Sequence, residues 1–98
     1  MKFRLLWEIH PDKRQNVMTV FAGMDLADYK AASGPGIKII GRWHDVMNMT
    51  GVVICEADDA EAVARWVTQW HTVCDFDLVP VLEDEEAHAL AREMYPVV

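Results

Sequence analysis

Little in this sequence invites metal or redox chemistry. Its two cysteines, Cys55 and Cys74, stand far apart, with no Cys-x-x-Cys spacing and no histidine placed to complete a zinc site. They read as reduced, buried thiols. Basic residues are scarce, nine against sixteen acidic ones, and the formal net charge of −7 repels phosphate backbones and anionic membrane surfaces. Neither nucleic acid nor a membrane is expected as a partner. Long apolar runs are missing too: stretches such as Gly51 to Cys55 fall far short of the roughly 20 residues that a transmembrane helix needs. Met1 to His10 is interrupted by Lys2, Arg4 and Glu8, which leaves no secretory apolar segment. A cytoplasmic location is expected.

What remains is the composition of a globular domain. The 98 residues are 52% hydrophobic and 26% charged, well away from the polar, highly charged make-up of disordered chains. This length supports one core, so residues 1–98 are read as a single domain.

Residue periodicity gives the order of elements. Phe3, Leu5, Trp7 and Ile9 point one way while Arg4, Leu6 and Glu8 point the other, the period-two pattern of a strand. Pro11 and Asp12 then open a helix predicted to run into the twenties through Val17, Val20, Phe21 and Met24. Turn formers from Ala31 to Gly36 break regular structure. Ile37, Ile39, Gly41 and Trp43 alternate with Lys38, Ile40, Arg42 and His44 to give a second strand, and Thr50 to Ala57 a third, joined by a short hairpin loop. Asp58, followed three residues later by Glu61, reads as a capping box for a second helix with Val63, Trp66, Val67 and Trp70 on a broad apolar face. A fourth strand is predicted from about Asp75 to Leu82, and a closing helix from Glu83 to Met94. The fold class is therefore α+β, a ferredoxin-like β-α-β-β-α-β antiparallel sheet in the order 4-1-3-2 with an extra C-terminal helix.

Both main helices are expected to cover the richer apolar face: Phe3, Leu5, Trp7 and Ile9, with Ile37, Ile39 and Trp43 from the second strand and Phe76 and Leu78 from the fourth. The opposite face keeps Leu6, Ile40, Val79 and Val81, too much contiguous apolar surface for a lone copy to leave in water. A homodimer packed sheet to sheet, a dimeric α/β barrel with a cavity between subunits, is the expected cover.

Strand direction then gathers Glu8, Arg42, His44 and Asp77 at one rim of that face, and Arg4, Lys38 and Glu56 at the other. Glu56 belongs there only if the hairpin register is even, since a one-residue slip turns it toward the helices. His44 is the group able to exchange a proton near neutral pH, with Glu8 and Asp77 as the carboxylates that would orient it and Arg42 as the anchor for an anionic oxygen. Arg4 and Glu56 are further ligand-binding candidates. Such a set suits isomerisation, cyclisation or another proton transfer on a small carbonyl compound held between subunits. The competing reading is an ion network that only fixes dimer register. No metal and no cofactor is expected. Other conspicuous residues read as structural: Trp7, Trp43, Trp66 and Trp70 as packing, Met47 and Met49 as loop packing, and His71 as a cap at the carboxyl end of the second helix.

Gly41-Arg42-Trp43-His44, the opening Trp7-Glu8-Ile9-His10-Pro11-Asp12-Lys13-Arg14 and the closing Pro80-Val81-Leu82-Glu83-Asp84-Glu85-Glu86-Ala87 resemble a bacterial domain-of-unknown-function family, the one numbered thirty-three hundred and three. That resemblance spans nearly the whole chain and implies the ferredoxin-like fold. It also implies a place beside the dimeric α/β-barrel superfamily, whose members include small monooxygenases, polyketide cyclases, stress-responsive dimers and haem-degrading enzymes. The haem-degrading group uses an Asn on the first strand with a later Trp and His; Trp66 and His71 are similar, but the first strand offers Leu6, Trp7 and Glu8 and no Asn. A cofactor-free monooxygenase needs little beyond an apolar cavity and a few polar groups, and a non-catalytic binding or regulatory dimer is equally compatible.

Overall fold

Alternation in the first strand sets the core. In β1 (Lys2–Ile9) the side chains of Phe3, Leu5 and Ile9 are buried while those between them are not. The computed structural model describes residues 1–96 and pairs β1 antiparallel on both sides, with β3 (Thr50–Ala57) and with β4 (Cys74–Val81). The hairpin partner of β3 is β2 (Ile37–Asp45), which completes a four-stranded sheet in the order β2-β3-β1-β4. This is the order inferred from the sequence, read from the other edge. Val53 and Cys55 of β3 join Phe3 and Leu5 as fully enclosed side chains beneath Val63 and Trp66.

Three helices occupy that apolar face. Pro11 begins a 3-10 turn (Pro11–Lys13) that leads into α1 (Arg14–Gly23), and α1 stops where Met24 turns extended at ψ 145°. Asp25 then starts a separate short helix, α2 (Leu26–Ala31), by accepting a hydrogen bond from the Asp28 N–H at 3.1 Å. One helix was expected from the periodicity; the extended residue and the new cap divide it. α3 (Ala60–Val67) is capped by Asp59, which accepts from the Ala62 N–H at 2.9 Å, one residue later than the Asp58 box predicted. Asp59 is the residue with extended backbone (φ −152°, ψ 169°), and that conformation lets its carboxylate fold back over the first turn. A 3-10 turn (Thr68–Trp70) prolongs α3, and His71 closes it as expected, Nδ1–H donating to the Thr68 carbonyl at 2.7 Å.

The closing helix behaves differently. α4 (Asp84–Met94) is started by the Glu83/Glu86 capping box, but no residue in it is buried. It extends away from the sheet, so the molecule measures 57 × 28 × 19 Å with a radius of gyration of 16.3 Å, against about 13 Å for a compact domain of this length. Among the described residues no helix is long and apolar enough to cross a membrane.

One irregularity in β2 decides where the polar groups lie. Ile39 pairs with Cys55 and Gly41 with Ile54, so Ile40 is an extra residue opposite no partner, a β-bulge. Beyond it the alternation shifts by one. Trp43, paired with Val52, falls on the open face and is 60% exposed, whereas Arg42 and His44 fall on the helical face with Val53 and Gly51. The expected placements of Trp43 under the helices and of Arg42 and His44 on the bare face are thereby reversed. Because Ile40 is the surplus residue, deleting it is expected to regularise β2 and leave His44 under the helices. The check is the ring-current shift of the His44 imidazole by NMR, which the deletion should preserve; its loss would mean that the bulge lies elsewhere.

Candidate functional site

Pairing across the sheet lines up His44, Gly51, Trp7 and Phe76 in one row on the helical face. The missing side chain at Gly51 gives that row its shape. A Cβ there would meet the Trp7 indole at 1.9 Å, so only glycine lets Trp7 lie across β3 and reach His44, ring centroids 5.1 Å apart and edge-on. From the helical side Phe21 of α1 stacks on the same imidazole at 5.3 Å and 15°, and Tyr29 of α2 lies 6.2 Å away. Arg42, one row along, places its guanidinium 4.2 Å from the centre of the Tyr29 ring, a cation–π contact.

Behind these groups a cavity of about 110 Å³ opens between sheet and helices. Its floor is Leu5, Trp7, Ile9, Val53 and Phe76, and its roof includes Val17, Met18, Trp66 and Trp70. On this roof α1 seats shallowly: it contributes half-buried side chains and no fully buried one. For scale, an apolar cavity of about 150 Å³ accommodates benzene.

The titratable groups on this lining are uncharged, with one exception. Burial, reinforced by the nearby Arg42 charge, holds the His44 pKa below its ordinary 6.5, so the imidazole is neutral at pH 7. Burial raises the Tyr29 phenol above its usual range, partly opposed by Arg42, and raises the Cys74 thiol. Arg42 is thus the single charge facing the cavity, and it takes part in no ion pair among the described residues. A half-buried guanidinium in a chain of net charge −7, left with an aromatic ring and no carboxylate, has N–H groups able to donate to an anionic or carbonyl oxygen.

The other candidates named from the sequence lie across the sheet from this cavity. Glu8 and Asp77 are on the open face, where Asp77 accepts from Arg4 at 3.1 Å. Glu56 pairs in register with both Lys2 and Lys38, so it also belongs to the open face, as the even hairpin register requires. Hence Arg42 and His44 stay together, while Glu8, Asp77, Arg4 and Glu56 are separated from them by the thickness of the sheet. Phe21 was legible only as part of a helical repeat and Tyr29 carried no spacing signal, so neither was read as part of the site; the signal within reach was Ile39-Ile40-Gly41, two apolar residues and a glycine inside a strand, which marks a bulge. Both cysteines are free and buried, as read from the sequence.

Residues 1–95 match a domain of unknown function, DUF3303. The chain belongs to this family. No curated protein matches it. In this member of the family an aromatic-walled cavity carries one cation and one neutral imidazole at its mouth.

A titration follows from that environment. Folding disfavours the protonated His44, so the stability tied to the neutral ring is complete above pH 6.5 and is lost as pH falls through the lower folded-state pKa. Urea unfolding of the protein and of His44→Gln across this interval is expected to show a steeper acid loss in the protein with histidine. In Arg42→Gln, an NMR titration should find the His44 pKa raised yet still below 6.5, because burial is the larger cause; an unchanged value would contradict the assigned proximity.

Proposed function

We propose that this protein binds a small, mainly apolar acid or carbonyl compound in the cavity between the sheet and α1–α3, with its oxygen held by Arg42 and its reactive carbon or hydroxyl beside His44. The observation that carries the reading is the unpaired Arg42 guanidinium on Tyr29, the lone charge on an otherwise apolar lining. Size limits the occupant: a cavity of about 110 Å³, smaller than one that encloses benzene, takes a short branched chain or a single ring inserted in part, with the polar head left at the mouth. Neutral His44 is in the protonation state of a base, and Arg42 supplies charge where an enolate oxygen would develop. Proton transfer next to a carbonyl is the chemistry that pair supports, and it needs neither Glu8 nor Asp77.

Benzoate and benzyl alcohol are suitable probes, equal in ring and different in charge, with Trp7, Trp66 and Trp70 fluorescence as the readout. Benzoate is expected to bind saturably and more tightly than the alcohol. Arg42→Gln should weaken benzoate alone, by roughly 10- to 100-fold, since a hydrogen bond to a charged group contributes about 1.5–3 kcal/mol. Equal affinities for both probes, or an Arg42→Gln variant that binds benzoate unchanged, would overturn the reading.

A further inference from the structure

The cavity shares its mouth with a second, larger space. Between α2 and the edge strand β2 runs an open groove of about 700 Å³, and Phe21, Tyr29, Arg42 and His44 line both it and the cavity. The groove walls are apolar, with Leu26 on α2 and Ile37, Ile39 and the surplus Ile40 on β2. Leu26 and Ile40 are left 57% and 49% exposed there. Tyr29 stands at the junction, its ring tilted against Phe21 at 4.9 Å and 4.2 Å from the Arg42 guanidinium. Lys30, the next residue of α2, lines the groove and not the cavity.

The charges on these two linings run against the rest of the chain. Sixteen acidic residues stand against nine basic ones, yet neither lining includes a carboxylate, and together they hold two cations, Arg42 and Lys30. Neither cation takes part in an ion pair among the described residues. We propose that the occupant is an acyl conjugate with an anionic tail: a short acyl group in the cavity, its carbonyl oxygen on Arg42, and a carboxylate carried a few bonds further along the groove to Lys30. This rests on the cavity reading above, and it selects a linked carbonyl over a free acid as the group that Arg42 holds. The Tyr29 ring engages the face of the guanidinium and leaves its in-plane N–H groups to donate to that oxygen. A free monoacid would stop at Arg42 and leave the groove empty. A wholly apolar tail would cover Leu26 and Ile40 but gain nothing from the positive field that two cations without a carboxylate set up at the mouth. A short tail ending in a carboxylate uses the walls and the field together, and N-acyl amino acids are the simplest molecules of this class.

N-Benzoylglycine and its methyl ester share the acyl group and the carbonyl and differ in the charge of the tail. Tryptophan fluorescence of the full chain is expected to show the acid binding about three- to fivefold more tightly than the ester, the range of a solvent-exposed ion pair. That preference should shrink as ionic strength rises from about 0.01 M to about 1 M, where the screening length falls from about 30 Å to about 3 Å. Lys30→Gln should bring the two ligands to within about a factor of two, and Lys30→Glu should make the ester the tighter. Lys30 is exposed, and circular dichroism checks that both variants keep the fold. An ester that binds the protein as tightly as the acid, or an acid preference that survives Lys30→Glu, overturns the inference. Benzoate separates this failure from that of the cavity reading: saturable benzoate binding without an acid preference removes the tail alone, whereas no binding of benzoate or of either conjugate removes cavity and tail together.

Discussion

A single surplus residue divides the polar groups of this sheet between its two faces. Strand side chains alternate with a period of two, and nothing in a regular strand can move one pair of residues across the sheet without moving all of them. By inserting Ile40 opposite no partner, β2 keeps Ile37 and Ile39 packed on the core and still delivers Arg42 and His44 to the same side. Trp43, which a regular strand would bury, goes outward instead. The aromatic lining around His44 and its one cation both follow from that local change of phase.

Electrostatics on the two faces obey different rules as a result. On the open face, Lys2–Glu83, Arg4–Asp77 and His10–Asp75 are solvent-facing pairs, each of little consequence for stability on its own. On the helical face there is no carboxylate along the cavity to neutralise Arg42. Its field reaches His44 and combines with burial to keep that ring uncharged. Removing a counter-charge from a half-buried arginine is costly to a fold, which is why such a group so often marks a place where binding matters more than stability.

Most of the architecture could be read from the chain before any coordinates, and the reasons are specific. Phe3, Leu5 and Ile9 alternate cleanly, β3 and β4 pair to β1 without interruption, and the acidic pair Asp58-Asp59 announces a helix start to within one residue, the cap being Asp59 and not the Asp58 of the predicted box. The stretch from Ile37 to His44 is different, because Ile39 and Ile40 are interchangeable to a hydropathy pattern and either fits the inward position. Periodicity assigned Arg42 and His44 to the face with Glu8 and Asp77, and the backbone places them opposite. Helix α2 was hidden for a related reason: its six residues are too few to show a repeat, and only Asp25 with Asp28 three residues on betrayed it. Long-range placement, such as Phe21 and Tyr29 meeting across His44, depends on how high α1 rides above the sheet, a quantity no local pattern encodes.

That height has a kinetic meaning. Helix α1 is tied down by half-buried Val17, Met18 and Phe21, with no salt bridge to the sheet among the described residues and a 3-10 turn as its leading hinge. Segments with few buried side chains lie at the low end of local stability, and α1 contributes none that is fully buried. Under the proposed reading, an occupant would enter past α1 and be held by Arg42, so residence time and selectivity would be written into separate pieces of the chain.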